Sequence, residues 1–92
     1  MNISKLFIVR NMTEYTLKTP QQLGAILRGR RREKAITQQA MGEAVDIRQA
    51  AVSQIENDPS NTRFARIFQI LSGLDLELVV RPRRPVDSKT DW

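Results

Sequence analysis

The stretch TQQAMGEAVDIRQAAVSQIEN, Thr37 to Asn57, decides the fold. Thr37 places a hydroxyl where the first unpaired N–H groups of a helix need an acceptor. The pattern predicts a short helix from there through about Val45, with Met41, Ala44 and Val45 on its inner face. Asp46 and Ile47 break it. A second helix follows from about Arg48 to Asn57, with Val52 and Ile55 turned inward and Arg48, Gln49, Ser53 and Gln54 turned outward. Two short helices joined by a tight turn, the second small and polar on its outer face, meet the physical description of a helix-turn-helix. The major groove of B-DNA admits one helix whose exposed side chains are short and polar. By residue type, Gln49 suits adenine, the Ala50 methyl suits a thymine methyl, Ser53 suits a base or a phosphate, and Arg48 suits guanine or a phosphate.

Toward the N-terminus, a further helix begins with clear punctuation. Thr19 is an N-cap, Pro20 takes the first helical position and Gln22 completes a capping box. Leu23, Ile26 and Leu27 form its apolar stripe. It ends in a basic run of Arg28, Arg30, Arg31, Arg32 and Lys34, which suits the negative end of the helix dipole. Flanking a DNA-reading unit, this run is read as contacting phosphates in part, with Lys18 and Thr37 as further phosphate partners. Gly24 and Gly29 each cost about 1 kcal/mol relative to alanine inside a helix. Close packing would explain them, against a neighbour that the sequence does not name. Residues 1–18 form an N-terminal arm with two short extended pieces, Leu6 to Val9 and Tyr15 to Leu17.

Toward the C-terminus, Asp58-Pro59-Ser60-Asn61 is a loop by composition. Thr62 is expected to cap a fourth helix in which Phe64, Ile67, Phe68 and Leu71 follow helical spacing, and Gly73 ends it. Arg63 and Arg66 near its start are candidates for backbone contact or for solvent. The period then changes. Leu74, Leu76, Leu78 and Val80 alternate with Asp75, Glu77 and Val79, a strand pattern. A lone strand does not stand by itself, so this one needs either the N-terminal segment or a second copy of itself. Pro82 and Pro85 stop it, and the remaining tail reads as disordered. The organisation is therefore an arm over 1–18, a helical DNA-binding domain over 19–74, a dimerisation strand over 75–81 and a flexible tail over 82–92.

Composition narrows the functional classes. Ninety-two residues, 40% of them hydrophobic, suffice for one small domain that would gain stability from oligomerisation. With no cysteine there is no disulfide framework and no thiolate zinc site, and with no histidine the commonest general base and metal ligand are missing. An enzyme built from this alphabet would rest on carboxylates or lysines alone. The reading is of a protein without catalysis, cofactor or metal. Fifteen Lys and Arg against ten acids give +5, a balance that favours a polyanion. No apolar run approaches a membrane span, and MNISKLFIVRN lacks the form of a secretory signal. The expected setting is the cytoplasm, in association with the nucleoid.

The Thr37–Asn57 segment resembles the Xre/Cro family of helix-turn-helix repressors, in which Thr-Gln opens the second helix and Ser-x-x-Glu-Asn closes the third; here these are Thr37-Gln38 and Ser53 to Asn57. The resemblance implies that Gln38 contacts DNA backbone and that Glu56 pairs with Arg31 as a structural link between the first and third helices. Two positions depart from the pattern: Asp46 stands where the turn usually has glycine, and Gly42 where the second helix usually has alanine. Within that family the chain looks most like the HipB-type antitoxins. The order TQ, IRQA, VS, EN, a fourth helix with two phenylalanines, LSGLDLELVV and a polar tail ending in tryptophan runs in register over roughly residues 15–92. That likeness implies a mostly α, lambda-repressor-like domain of four to five helices whose C-terminal strand, carrying Leu76, Leu78 and Val80, pairs with its two-fold mate in an intersubunit β-sheet. It also implies a HipA-type serine/threonine kinase toxin as partner, captured by a tail ending in Trp92, and repression of the protein's own operon at a palindromic operator. The expected DNA-binding set is Thr37, Gln38, Arg48, Gln49, Ala50, Ser53, Gln54 and Asn57. A stand-alone repressor with no toxin is the alternative, and an adaptor that has lost DNA is a third.

Overall fold

The first helix, α1 (Pro20–Glu33), begins where Thr19 and Gln22 hold each other. The Thr19 hydroxyl accepts from the Gln22 amide at 3.2 Å, and the Gln22 side chain accepts from the Thr19 amide at 3.1 Å. In the computed structural model, which describes residues 14–83, three more α-helices follow: α2 (Gln38–Val45), α3 (Gln49–Asn57) and α4 (Phe64–Gly73). A 3-10 turn, Pro59–Asn61, sits between the last two, in the stretch read from composition as a loop. The Thr37 hydroxyl caps α2 by accepting from the Ala40 amide at 3.0 Å. No helix among the described residues is long and apolar enough to cross a membrane.

Helices α1, α2 and α4 close in one way. After each, the chain turns through a left-handed residue, and none of the three is glycine: Ala35 (φ 58°), Asp46 (φ 60°) and Asp75 (φ 56°). The amide after the left-handed residue then reaches back to a carbonyl in the last turn. Ile36 donates to Arg31 O at 3.3 Å, Ile47 to Gly42 O at 2.7 Å and Leu76 to Leu71 O at 2.9 Å. This closure satisfies carbonyls that a helix end otherwise leaves bare. An L-residue in the left-handed region costs about 1–2 kcal/mol, less for aspartate, so each corner stores a little strain.

The helices converge on a core of Leu27, Met41, Ile47, Val52, Ile55, Ile67, Ile70, Leu71 and Leu74. Two glycines let backbones meet. A methyl on Gly24 would lie 2.5 Å from the Glu56 carbonyl, so Gly24 is where α1 touches the end of α3. A methyl on Gly42 would overlap the Ile47 carbonyl, which explains glycine inside α2 just before the tight turn.

Four sequence expectations change here. Ala44 is exposed, and the inner face of α2 is Met41, Gly42 and Val45. Thr62 closes the 3-10 turn, and the N-cap of α4 is Arg63, with no side-chain hydrogen bond. Arg48 is the N-cap of α3, one residue before the helix proper. Phe64 and Phe68 are not core: the inner face of α4 is Ile67, Ile70, Leu71 and Leu74, and the two rings stand outside. Residues 75–81 carry no assigned strand in the single chain, although Leu76 packs on the core. The Leu6–Val9 piece and Trp92 lie outside the described residues.

Candidate nucleic-acid interface

The outer surface of α3 is built on a buried charge. Arg31 on α1 and Glu56 near the end of α3 are 8% and 5% exposed, in a region otherwise lined by the apolar core. The guanidinium grips the carboxylate twice, Nε to Oε2 at 2.6 Å and Nη2 to Oε1 at 3.0 Å, and its Nη1 donates to the Ile36 carbonyl at 2.8 Å. Every donor a buried guanidinium most needs to satisfy is thereby engaged. Burial acts to raise the Glu56 pKa, but hydrogen bonds from Arg31 and Gln38 and the charges of Arg31 and Arg28 outweigh it, so the carboxyl sits below its ordinary value. The hydrogen bond to Glu56 likewise raises the Arg31 pKa against the effect of burial.

From this pair a relay runs outward. Glu56 Oε1 also accepts from Gln38 Nε2 at 3.1 Å, and Gln38 Oε1 accepts from Gln49 Nε2 at 2.7 Å. A carboxylate only accepts, so the end of Gln38 that faces it must be the NH2. The Gln38 carbonyl therefore faces Gln49, and Gln49 must answer with its own NH2. Gln49 is left presenting its carbonyl and one remaining N–H at the exposed start of α3. Four residues singled out in the sequence (Arg31, Gln38, Gln49 and Glu56) thus form one hydrogen-bonded unit.

Around it, Arg48, Ala50, Gln54 and Asn57 are exposed on α3 or at its cap, Ser53 is half-buried, and Thr37 is exposed at the start of α2. Asn57 is not a free amide. Its Oδ1 accepts from Arg28 Nη2 at 2.6 Å, and the same nitrogen reaches the Glu56 carbonyl at 3.4 Å, so the Asn57 NH2 is the group left for an outside partner.

The basic run at the end of α1 departs most from its sequence reading. Arg28 serves Asn57 and Glu56, and Arg31 serves Glu56 and Ile36. Arg30 Nε donates to the Leu74 carbonyl at 2.9 Å, and Lys34 pairs with Asp75 at 2.8 Å. Only Arg32 of that run is exposed without a side-chain partner among the described residues. The run is chiefly a clamp that ties α1 to the ends of α3 and α4, and sequence alone does not reveal it because the partners lie 25–44 residues away. Arg63 and Arg66 are exposed at the start of α4.

A second feature lies away from α3. A groove of about 750 Å³ runs between residues 14–18, the Leu23 and Ile26 side of α1 and the segment 75–83. Arg81 closes one end by bonding Glu14 at 3.0 Å and Thr16 at 3.1 Å. Leu78, Val79 and Val80 line it and remain 41%, 66% and 91% exposed. Asp58, which sequence reading passed over, is a small hub: its Oδ1 accepts from the Ser60 amide at 3.0 Å and from Gln21 at 3.2 Å. Asp before Pro at the start of a turn was the available signal.

Comparison with known proteins agrees with this geometry. The helix-turn-helix family profile matches residues 27–80. The chain is 30% identical over 69 residues to the antitoxin HipB of Escherichia coli strain K12, an alignment covering 75% of this chain and 78% of that protein. The HipB of a second Escherichia coli strain matches over the same length at the same identity. Among solved structures, a HipB–O4 20mer complex superposes with a TM-score of 0.73 at 28% identity, covering 77% of this chain and all of the other. A HipA–HipB–O2–O3 complex gives the same values.

Proposed function

The chain belongs to the Xre-type helix-turn-helix family, with HipB antitoxins among its relatives, and on that premise we propose that it is a dimeric, sequence-specific DNA-binding repressor and the antitoxin of a HipA-type kinase. The observation that carries the reading is the relay from Arg31 through Glu56 and Gln38 to Gln49. A recognition side chain is useful when its donor and acceptor are held in one orientation before DNA arrives, since less freedom is then lost on binding. The orientation left to Gln49 is a carbonyl beside an N–H. Adenine offers the complement in the major groove, an N6 donor beside an N7 acceptor, whereas guanine presents two acceptors there. Ala50, Ser53 and Gln54 extend the same face toward neighbouring bases, with Arg48 at its N-terminal edge.

Thr37, Gln38 and Asn57 surround that face and are the phosphate-contacting set, with Asn57 offering the NH2 that Arg28 leaves outward. Residues 75–81 form the dimer seam by pairing with the same segment of a second copy, which would bury Leu78 and Val80 beside the already packed Leu76. The two recognition helices then lie about one turn of DNA apart on a two-fold operator. The segment that follows, ending in Trp92, is the toxin-capturing tail, tryptophan being among the side chains most enriched at binding hot spots.

The test has two arms. Fluorescence anisotropy with promoter DNA of the protein's own gene should show salt-sensitive binding, and Gln49→Ala should lose about 1–3 kcal/mol on the preferred site while relaxing discrimination at one base pair. A Gln49→Ala protein that ranks all operator variants as the parent does refutes the assignment of α3. Co-expression with the products of the flanking genes should yield a stoichiometric kinase-like partner that is lost when residues 83–92 are removed. A clean DNA-binding dimer with no such partner removes the antitoxin part and leaves a stand-alone repressor.

A further inference from the structure

The exposed apolar side chains of the described residues gather in the C-terminal third of the fold. Phe64 and Phe68 are 70% and 50% exposed on α4, their ring centroids 5.8 Å apart and tilted by 53°. They are one helical turn apart, and the same stripe continues to Leu71, which walls the groove where Leu78, Val79 and Val80 are exposed. Rings and segment are thus parts of one apolar surface that runs from α4 onto residues 78–80.

The size of that surface says what covers it. The exposed fractions of Leu78, Val79 and Val80 amount to about 200 Å² of side chain per protomer. Pairing only this segment between two copies would bury about 400 Å² of apolar side chain, far below the roughly 1,000 Å² that a specific interface needs. The exposed parts of the two rings add about 250 Å² per protomer, which brings a symmetric pair close to that threshold. DNA does not suit the patch, because benzene rings offer none of the donors that phosphates require.

We infer that Phe64 and Phe68 are the aromatic anchors of the homodimer, seated against the same surface of a second copy of this chain. The strand pairing sets register, and the rings supply the greater part of the buried side-chain area. In a two-fold interface each ring is used twice, so a change at one position is felt at two places. The inference rests on the dimer reading above and adds to it the helix face that makes the dimer stable.

The experiment is sedimentation equilibrium of the full chain with three variants. Phe64→Ser with Phe68→Ser should weaken the dimer at least 100-fold, since buried aromatic anchors commonly cost tenfold or more apiece. Phe64→Leu with Phe68→Leu should restore most of the loss. Both rings lie outside the monomer core, so the far-UV spectrum of the serine variant should match that of the parent. The third variant, Leu78→Asp, tests the segment separately. A serine variant that dimerises like the parent while Leu78→Asp does not overturns the role of the rings and leaves the seam intact; a parent that stays monomeric overturns both. As a check free of mutation, fluorophenylalanine labels three positions, Phe7, Phe64 and Phe68. Two of the three resonances should move on dilution through the dissociation constant. Signals that move only when a different protein or DNA is added overturn the inference.

Discussion

Removing the Glu56 carboxylate is the sharpest perturbation the structure offers. In Glu56→Ala, Arg31 keeps only its bond to the Ile36 carbonyl, and two of its donors lose their partner at a site 8% exposed. Breaking one side of a buried pair costs about 3–5 kcal/mol, because a charge is left in a medium that solvates it poorly. Gln38 loses its acceptor as well, but it is half-buried and water can replace the carboxylate. Stability of about 0.05–0.15 kcal/mol per residue gives this chain about 5–14 kcal/mol in all, so the loss is a large fraction of it. Urea denaturation of the parent, Glu56→Ala, Arg31→Met and the double variant closes a thermodynamic cycle. The double variant should be more stable than Glu56→Ala alone, because removing the orphaned guanidinium removes the penalty, and the coupling should be about 2–3 kcal/mol. A Glu56→Ala loss below about 1 kcal/mol, or losses that simply add in the double variant, would refute the argument that the pair is energetically isolated from water.

Acid should weaken the fold through the same residue. The Glu56 pKa is lowered from 4.5 in the folded chain, so its contribution is complete above that value and is lost as pH falls through the lower folded value. Asp58, held by Ser60, and Asp75, held by Lys34, are lowered too; Glu56→Gln should therefore flatten the acid limb of a stability–pH curve only in part, and an unchanged limb would contradict the assignment. The glycines of α1 should behave oppositely: Gly29→Ala, with open space around it, should gain about 1 kcal/mol in thermal unfolding. Gly24→Ala should lose about 1–3 kcal/mol against the Glu56 carbonyl, and equal effects at the two sites would refute the close contact. Ala35→Gly should raise stability by about 0.5–1 kcal/mol by relieving a left-handed alanine, whereas a loss would mean that the corner is unstrained.

Much of this protein is written locally. The capping boxes and N-caps at Thr19 and Thr37, the apolar spacing of Leu23 and Leu27, and the exposed Gln49, Ala50 and Gln54 all follow from side chains acting within a turn or two of their own position. Periodicity reports such short-range effects directly, which is why the helices and the recognition face were legible. Other features depend on neighbours distant in the chain. That Gly24 meets the end of α3 while Gly29 meets nothing is a matter of which side of α1 faces a second helix. That the arginines of α1 bind Glu56, Asn57 and Leu74 and not solvent is decided by what folding brings beside them. Phe64 and Phe68 show the limit most clearly. Helical spacing placed them on the same stripe as Leu71, but α4 packs through only one side, and a stripe wider than the contact leaves its outer edge exposed. Hydrophobic period tells a helix that it has a face to bury; only the arrangement of the other helices determines how much of that face one chain can cover and how much is left for a second.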